Sequence, residues 1–282
     1  MTVLRARDRL PELATTLRPR VVYTDLDGTI LGPGGSLFAS PDGGITGRAA
    51  EAVEAIHRAG VALVPVSGRA EVRVREAARL LGADGFIAEL GGVRVWGDEA
   101  HRDYGEYRGR GTPHEAMARS GAAAFLLEDC PGVLEPHAPW AHDGREVSML
   151  FRGLVDLDEV RAKMEGAGYG WLRLHDNGVI RRTFPGLDVD EVHVYNLLPG
   201  GVSKATAVAA DLADRRVGRE EAVAIGDSAS DLALAPHVAV VFLVAGGTHA
   251  LSGADGPDNV LVTDAGYGDG FAEAVLGILG GS

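Results

Sequence analysis

The stretch that decides the fold runs from residue 21 to residue 29 and reads VVYTDLDGT. Its first part, Val21–Thr24, is β-branched or aromatic and predicts a buried parallel strand that stops at the charged Asp25. Ligands of open α/β sheets bind at the carboxyl ends of the strands, so Asp25 and Asp27 are expected to project into such a crevice. Two carboxylates there can divide the roles of nucleophile or metal ligand and of general acid/base. The alternative is a solvated turn, because Asp, Gly and Thr are common turn residues.

Strand and helix patterns alternate on both sides of this stretch. Hydrophobic periodicity predicts further strands at 61–66, 85–88, 222–225 and 239–244, and helices at 7–17, 46–59, 70–81, 203–213 and 230–235. From about residue 94 the rhythm changes to a strand at 145–152, a helix at 158–167 and a hairpin of strands 169–174 and 179–183. The hairpin is predicted from the Asn-Gly pair in its loop, 175–178. We therefore predict an α/β protein: a doubly wound parallel-sheet core at 1–93 and 196–282, with an inserted α+β domain at 94–195.

Composition excludes several function classes. The 282 residues include 27 basic and 40 acidic side chains, a net charge of −13, which argues against a nucleic-acid partner and against a polybasic membrane clamp. Cys130 is the only cysteine, so an intrachain disulfide and a thiolate zinc cluster are excluded and a reducing cytoplasm is expected. Neither the charged segment 1–20 nor the short apolar run 239–245 is expected to act as a membrane anchor.

Three further motifs lie at predicted strand ends or helix starts. Ser67-Gly68-Arg69 follows the second strand and offers a hydroxyl, a flexible amide and a guanidinium, although a plain loop is the simpler interpretation. Lys204 opens a helix, where a lysine can act as a point charge on phosphate or remain a solvated surface residue. Asp227 and Asp231 follow another strand at a spacing that suits Mg²⁺, which prefers a few carboxylates with water and substrate oxygens. Asp231 can instead cap the next helix or orient Lys204.

In this order, the four motifs resemble those of the haloacid dehalogenase (HAD) superfamily of phosphohydrolases. An insert between the second and third motifs is similar to the type-two α+β caps of the sugar-phosphate phosphatase branch. That branch includes the sucrose-phosphate, trehalose-phosphate, mannosyl-3-phosphoglycerate and Cof-like phosphatases. The segment 87–92 (IAELGG) looks like the Glu-Asn-Gly-Gly stretch of this branch, with Leu90 in place of asparagine. Ser230 likewise stands where many relatives carry asparagine.

The resemblance implies a role for each matching residue. Asp25 is expected to be the nucleophile that forms an aspartyl-phosphate, and Asp27 the general acid/base. Phosphate would be bound by the side chains or amides of Thr29, Ser67, Gly68 and Lys204. A magnesium ion would be held by Asp25, by the backbone carbonyl of Asp27, and by Asp227, with Asp231 as a further candidate.

The inserted domain is expected to select the leaving group. Its candidate substrate-binding residues are Asn177 and Arg181, which would act together with Arg69 of the core. The resulting prediction is a cytoplasmic, Mg²⁺-dependent phosphatase for a sugar phosphate or related small metabolite, present as a monomer or small homo-oligomer. Two alternatives stay open: a phosphomutase of the phosphomannomutase kind, and a non-catalytic ligand-binding relative.

Overall fold

The apolar stretch at 21–24 forms one of the inner strands of a five-stranded parallel sheet. In this computed structural model, which describes residues 4–180, 182–251 and 257–280, the strand order is β12-β11-β10-β1-β2. The strands are β1 (Val21–Thr24), β2 (Ala62–Pro65), β10 (Ala222–Gly226), β11 (Val240–Leu243) and β12 (Val260–Val262). All of these residues except Ala62 are buried, as expected for a parallel sheet covered on both faces.

Helices cover both faces of this sheet because alternate side chains of each strand point to opposite faces. Val22, Leu63 and Val223 belong to one apolar cluster, and Tyr23, Val64 and Ala224 to another. The first cluster is completed by α1 (Ala6–Thr16), α2 (Arg48–Arg58), α3 (Glu71–Leu81) and α9 (Tyr267–Leu279), and the second by α7 (Lys204–Arg215) and α8 (Ala229–Leu232). The predicted doubly wound parallel-sheet core is confirmed.

A short antiparallel sheet extends the core beyond β2. It consists of β3 (Phe86–Ala88), β4 (Val93–Trp96) and β5 (Glu99–Arg102) in that order. Val93 and Val95 pack into the first core cluster, so this sheet is continuous with the core. A turn of 3₁₀ helix at Glu89–Gly91 joins β3 to β4.

The inserted domain has its own sheet and its own apolar cluster. The antiparallel sheet has the order β6-β7-β9-β8, and helices α4, α5 and α6 pack on one face of it. These elements are α4 (Pro113–Ser120), α5 (Ala122–Asp129), β6 (Leu134–Pro136), β7 (Met149–Gly153), α6 (Leu157–Gly166), β8 (Leu172–Ile180) and β9 (Val192–Pro199). We call this insert the cap. The division at 94 and 195 stays a prediction, and β9 runs across residue 195.

The predicted hairpin at 175–178 is wrong. Residues 172–180 form one continuous strand, β8, and both of its halves pair with β9. The register shifts between Asp176 and Val179, so the Asn-Gly pair makes a bulge instead of a turn. Gly178 adopts a φ of 99°. Hairpin turns and bulges both use glycine at positive φ, so the Asn-Gly pair is compatible with either structure.

The strand predicted at 145–152 is correct only in its second half. β7 begins at Met149, and the backbone amides of residues 146–148 donate to the carboxylate of Glu89 instead of to a neighbouring strand. Among the residues that the structure describes, no helix is both long and apolar enough to cross a membrane.

Candidate active site

The predicted motifs converge at the carboxyl edge of the parallel sheet. β10, β1 and β2 are neighbours, so the residues that follow them, Asp227, Asp25 and Ser67, meet at one edge. The start of α7 brings Lys204 to the same place, since Ser203 caps this helix through its side chain and fixes its first turn. The sheet order therefore gathers residues that are as far apart in the sequence as Asp25 and Asp227.

Lys204 links two of the carboxylates. Its Nζ atom donates to Oδ1 of Asp25 at 2.7 Å and to Oδ1 of Asp231 at 2.8 Å. All three residues are buried, with exposed fractions of 2% for Lys204, 7% for Asp25 and 1% for Asp231. Buried charges need such partners because an unpaired ion in a low dielectric is costly. One oxygen of Asp25 is thus held, and Oδ2 has no partner among the described residues.

Burial and repulsion from neighbouring carboxylates raise the pKa values of Asp25 and Asp227. Burial raises the pKa of Asp25 to about 7, with the Asp231 charge adding to the rise and Lys204 opposing it. The pKa of Asp227 lies well above its ordinary value because of burial and of the nearby Asp25 and Asp231 charges. Burial lowers the pKa of Lys204, but its two carboxylate partners outweigh that effect, so the pKa is raised and the ammonium form is stabilised. The cluster therefore has three carboxyl groups, those of Asp25, Asp227 and Asp231, and only the ammonium group of Lys204 to offset them among its members.

A divalent cation fits this deficit. Carboxylate oxygens of Asp25, Asp227 and Asp231 lie within 4.8 Å of one another. Gly28 lets Asp227 approach the first motif: its φ is +87°, and a methyl group added to it would lie 2.0 Å from Oδ2 of Asp227. Hard cations such as Mg²⁺ prefer oxygen ligands of this kind.

Both carboxylate oxygens of Asp231 already accept hydrogen bonds, whereas only one oxygen of Asp25 does so among the described residues. Oδ1 of Asp231 accepts from Lys204, and Oδ2 accepts from the backbone amides of Asp227 and Ser228 and from the Ser228 hydroxyl at 2.6 Å. These contacts favour an orienting role for Asp231 over direct metal ligation, the two roles that the sequence left open. Asp25 and Asp227 remain the side chains best placed to bind a cation.

Asp27 is paired with Arg69. The guanidinium donates from Nε to Oδ2 of Asp27 at 2.6 Å, and Nη2 donates to Oδ1. Both oxygens of Asp27 are therefore occupied, although its side chain is 54% exposed. The structure thus brings two predicted site residues together, with Arg69 contacting the acid/base candidate directly.

The candidate phosphate-binding residues differ in how their polar groups are used. Ser67 is buried, and its Oγ accepts from the Arg69 amide at 3.2 Å, which leaves the hydroxyl hydrogen free to donate. Thr29 is fully buried, and its hydroxyl has no hydrogen-bond partner among the described residues. Buried polar atoms without a partner are uncommon in folded proteins, so the Thr29 hydroxyl has hydrogen-bonding capacity available for a ligand.

The cap reaches this edge through the bulge of β8. A methyl group added to Gly68 would lie 2.8 Å from Nδ2 of Asn177, so the Asn177 side chain lies directly on the Ser67-Gly68-Arg69 loop. The predicted substrate-binding position of Asn177 is therefore next to the candidate phosphate-binding loop. Arg181, the other predicted cap residue, lies outside the described residues.

Sequence reasoning missed a buried pair beside this loop. Glu89 is fully buried, Arg145 is nearly so, and Arg145 donates from Nη2 to the backbone oxygen of Gly68 at 3.0 Å. Glu89 lies within the segment 87–92 that was singled out for its likeness to a family motif, but Arg145 is 56 positions away. Only the fold brings the two together.

Known proteins are similar over nearly the whole chain, although no family model matches the sequence. A phosphoglycolate phosphatase of Methanoculleus marisnigri is 26% identical over 258 residues, which are 91% of this chain and 95% of that protein. The sucrose-phosphatase of Synechocystis, solved with sucrose and phosphate, superposes with a TM-score of 0.63 at 15% identity and covers 93% of this chain and 98% of its own. A phosphatase of the HAD superfamily from Bacteroides thetaiotaomicron gives 0.61 at 18%, covering 93% and 96%.

These likenesses agree with the architecture built from the residues. At such low identity the solved structures demonstrate a common fold, here a parallel-sheet core with an inserted cap. The resemblance to the HAD superfamily, drawn from the four sequence motifs, is confirmed at the level of the fold.

Proposed function

We propose that the protein is a Mg²⁺-dependent phosphatase that hydrolyses a phosphomonoester through an aspartyl-phosphate on Asp25. The observation that carries this proposal is the buried cluster in which Lys204 holds one oxygen of Asp25, while the other oxygen has no partner among the described residues. A carboxylate held in this way is oriented as a nucleophile, and the adjacent ammonium offsets the charge of an approaching phosphoryl group.

The first half-reaction transfers the phosphoryl group to the protein. Oδ2 of Asp25 forms a bond to phosphorus while the bond from phosphorus to the leaving oxygen breaks. Asp27 donates a proton to that leaving oxygen, which departs as an alcohol. In this proposal, Lys204 and the hydroxyls of Thr29 and Ser67 bind the phosphoryl oxygens.

The second half-reaction returns Asp25 to its starting state. Asp27, now ionised, accepts a proton from a water molecule that attacks phosphorus, and the bond from phosphorus to Oδ2 of Asp25 breaks to release inorganic phosphate. Asp25 and Asp227 would hold Mg²⁺, together with the backbone carbonyl of Asp27, and the ion supplies positive charge next to the transferring group.

The ion pair between Arg69 and Asp27 must open before Asp27 can act as the general acid. Because the Arg69 guanidinium occupies both oxygens of Asp27, Asp27 cannot reach a leaving oxygen until that pair opens. We propose that a bound substrate draws Arg69 away, so that the guanidinium contacts the substrate and Asp27 becomes free at the same time. This assigns Arg69 the substrate-binding role predicted from the sequence.

The substrate that we propose is a sugar phosphate or a related small phosphorylated metabolite. The similar proteins include a sucrose-phosphatase and a phosphoglycolate phosphatase, so both sugars and short acids are reasonable leaving groups. Asn177 supports a role of the cap in this choice because its side-chain amide lies against Gly68 in the candidate phosphate-binding loop. We further propose that the enzyme works in the cytoplasm as a monomer or small homo-oligomer.

The phosphomutase alternative has no observation in its favour beyond the shared aspartates and a related cap. A mutase would return the phosphoryl group from Asp25 to a sugar instead of to water. The non-catalytic alternative does not account for Lys204, which has been buried between two acids at a desolvation cost that simple ligand binding does not require.

The proposal is tested by measuring inorganic phosphate released from a panel of phosphomonoesters. We expect release with Mg²⁺, none after treatment with EDTA, and restoration when Mg²⁺ is added back. Ca²⁺ should support little turnover, since the larger ion tolerates more ligands and can occupy the second oxygen of Asp25. Sugar phosphate isomerised without phosphate release would establish the mutase, and binding without either reaction would establish the non-catalytic protein.

A further inference from the structure

A loop of the cap makes an extensive polar contact with the core through Arg145. All of its guanidinium nitrogens are used: Nε donates to the oxygen of Ala141 at 2.7 Å, Nη1 to Oγ of Ser148 at 2.7 Å, and Nη2 to the oxygen of Gly68 at 3.0 Å. Two of these partners belong to the cap, and the third belongs to the candidate phosphate-binding loop. The side chain of Arg145 is 3% exposed, so the contact is shielded from water.

Glu89 holds the same cap loop from the core side. Its carboxylate accepts from the amides of Glu146, Val147 and Ser148 at 2.8–3.0 Å and from the Ser148 hydroxyl at 2.7 Å. Arg145 lies 3.8 Å from the same carboxylate. Ser148 therefore touches both charged groups, donating to Glu89 and accepting from Arg145.

The backbone next to Glu89 is tied to the phosphate-binding loop as well. The Glu89 amide donates to the oxygen of Arg69 at 2.9 Å, and the Leu90 amide donates to the oxygen of Ser67 at 3.1 Å. Glu89 and Leu90 both have positive φ values, 49° and 55°, a conformation that side chains disfavour and that these contacts maintain. All three carbonyl oxygens of the loop 67–69 are thus fixed: two by the 3₁₀ turn and the middle one by Arg145.

We propose that Arg145 is a positioning residue for phosphate binding, with Glu89 and Ser148 holding it in place; this rests on the phosphatase function proposed above. By accepting from Arg145, the Gly68 carbonyl is turned toward the cap loop, and the rest of the 68–69 peptide is oriented with it. The Arg69 amide in turn donates to Oγ of Ser67, so the serine hydroxyl keeps its hydrogen for a phosphoryl oxygen.

The physical reason lies in the sign of the charges. A carbonyl oxygen that rotated toward the site would face the anionic phosphoryl group and repel it, whereas an amide or hydroxyl donor attracts it. Without Arg145 the Gly68 carbonyl loses its side-chain partner, and the long 3.2 Å bond from the Arg69 amide to Oγ of Ser67 is left to hold this peptide. The peptide then rotates more easily, since Gly68 carries no side chain. Phosphate binding should then weaken even though Asp25, Lys204 and Asp227 are untouched.

The decisive experiment measures the affinity of Arg145→Met for inorganic phosphate in the presence of Mg²⁺, by isothermal titration calorimetry. Glu89 loses its cationic neighbour in this variant but keeps its four hydrogen-bond donors, so its carboxylate oxygens stay hydrogen-bonded. We expect the Kd for phosphate and the KM for an aryl phosphate each to rise about tenfold or more, with a smaller change in kcat, as for lost binding to the phosphoryl group. A Kd within about twofold of wild type overturns the proposal.

A purely structural role is separated by a matched control. Arg215 is also buried and also pairs with an acid, Asp211, but lies at the opposite end of α7 from Lys204. Arg215→Met should lower the melting temperature without changing the Kd for phosphate. An equal loss of phosphate affinity in both arginine variants would mean that general destabilisation is responsible and would overturn the positioning role.

Ser148→Ala keeps the proposal testable if Arg145→Met does not fold. This change removes only the hydroxyl shared by Arg145 and Glu89, so a rise of about twofold to fivefold in the Kd for phosphate is expected. An unchanged Kd contradicts the proposal. The outcomes stay distinct from those of the proposed function: wild-type protein that binds phosphate but releases none from any phosphomonoester refutes the phosphatase, whereas the Kd of the variants tests Arg145.

Discussion

The core edge and the cap edge of the site are built in different ways. At the core edge, Asp25, Lys204 and Asp231 are buried and joined by charge-assisted hydrogen bonds of 2.7–2.8 Å. At the cap edge, the candidate substrate contact is neutral: Asn177 lies on a β-bulge and reaches the core with its amide against Gly68. Buried ions demand fixed partners, whereas a neutral amide on a bulge can be replaced without exposing an unpaired charge. The difference suggests that chemistry resides in the core and substrate choice in the cap.

The largest effect is expected from Asp25→Asn. The amide has nearly the shape of the carboxylate but cannot attack phosphorus, so kcat should fall at least about a hundredfold, which corresponds to ~2.7 kcal/mol of barrier. Steady-state phosphate release with Mg²⁺ measures this.

Asp211→Asn is the control for Asp25→Asn. Asp211 is an equally buried acid that accepts from Tyr23 and Arg215, away from the carboxyl edge of the sheet. We expect it to lose stability and to keep its activity. If Asp25→Asn retained more than about a hundredth of the wild-type kcat, the assignment of chemistry to this core residue would be wrong.

A smaller effect is expected from Asp231→Asn, which distinguishes a residue that orients Lys204 from a residue that binds the metal. If Asp231 orients Lys204, kcat should fall about tenfold while the Mg²⁺ concentration for half-maximal activity changes little. A magnesium titration of phosphate release checks this. A large rise in the required Mg²⁺ with full kcat at saturation would instead make Asp231 a metal ligand.

The core edge and the cap edge also differ in how many of their contacts can be predicted from the sequence. Asp25, Ser67 and Asp227 each follow an apolar run directly, so local patterns located them and the parallel sheet brought them together. The Arg145–Glu89 bridge joins the cap to the core across 56 positions, and no local pattern encodes it. The hairpin prediction at 175–178 was wrong because it also rested on a local pattern. Asn-Gly favours a turn locally, but both halves of β8 pair with β9, which is distant in the sequence. β9 itself was not predicted.

The smallest effect is expected from Asn177→Ala, and it should depend on the substrate. For the best substrate in the panel, kcat/KM should fall about tenfold, whereas for a small aryl phosphate it should change less than about twofold. The comparison of kcat/KM between the two substrates is the measurement.

Val179→Ala, on the other side of the same bulge, is the control for Asn177→Ala and should affect neither substrate. Equal losses on both substrates in Asn177→Ala would place part of the chemistry in the cap and break the division between the two regions.

The central claim is tested most directly by locating the phosphorylated residue. Protein mixed with substrate and Mg²⁺ is quenched during turnover and treated with borohydride, which reduces an aspartyl-phosphate to homoserine, and its peptides are then analysed by mass spectrometry. The account predicts homoserine at position 25, and none there in Asp25→Asn or without substrate. Conversion at another carboxylate, or phosphate release by an enzyme that is never modified at Asp25 under any quench time, would contradict it.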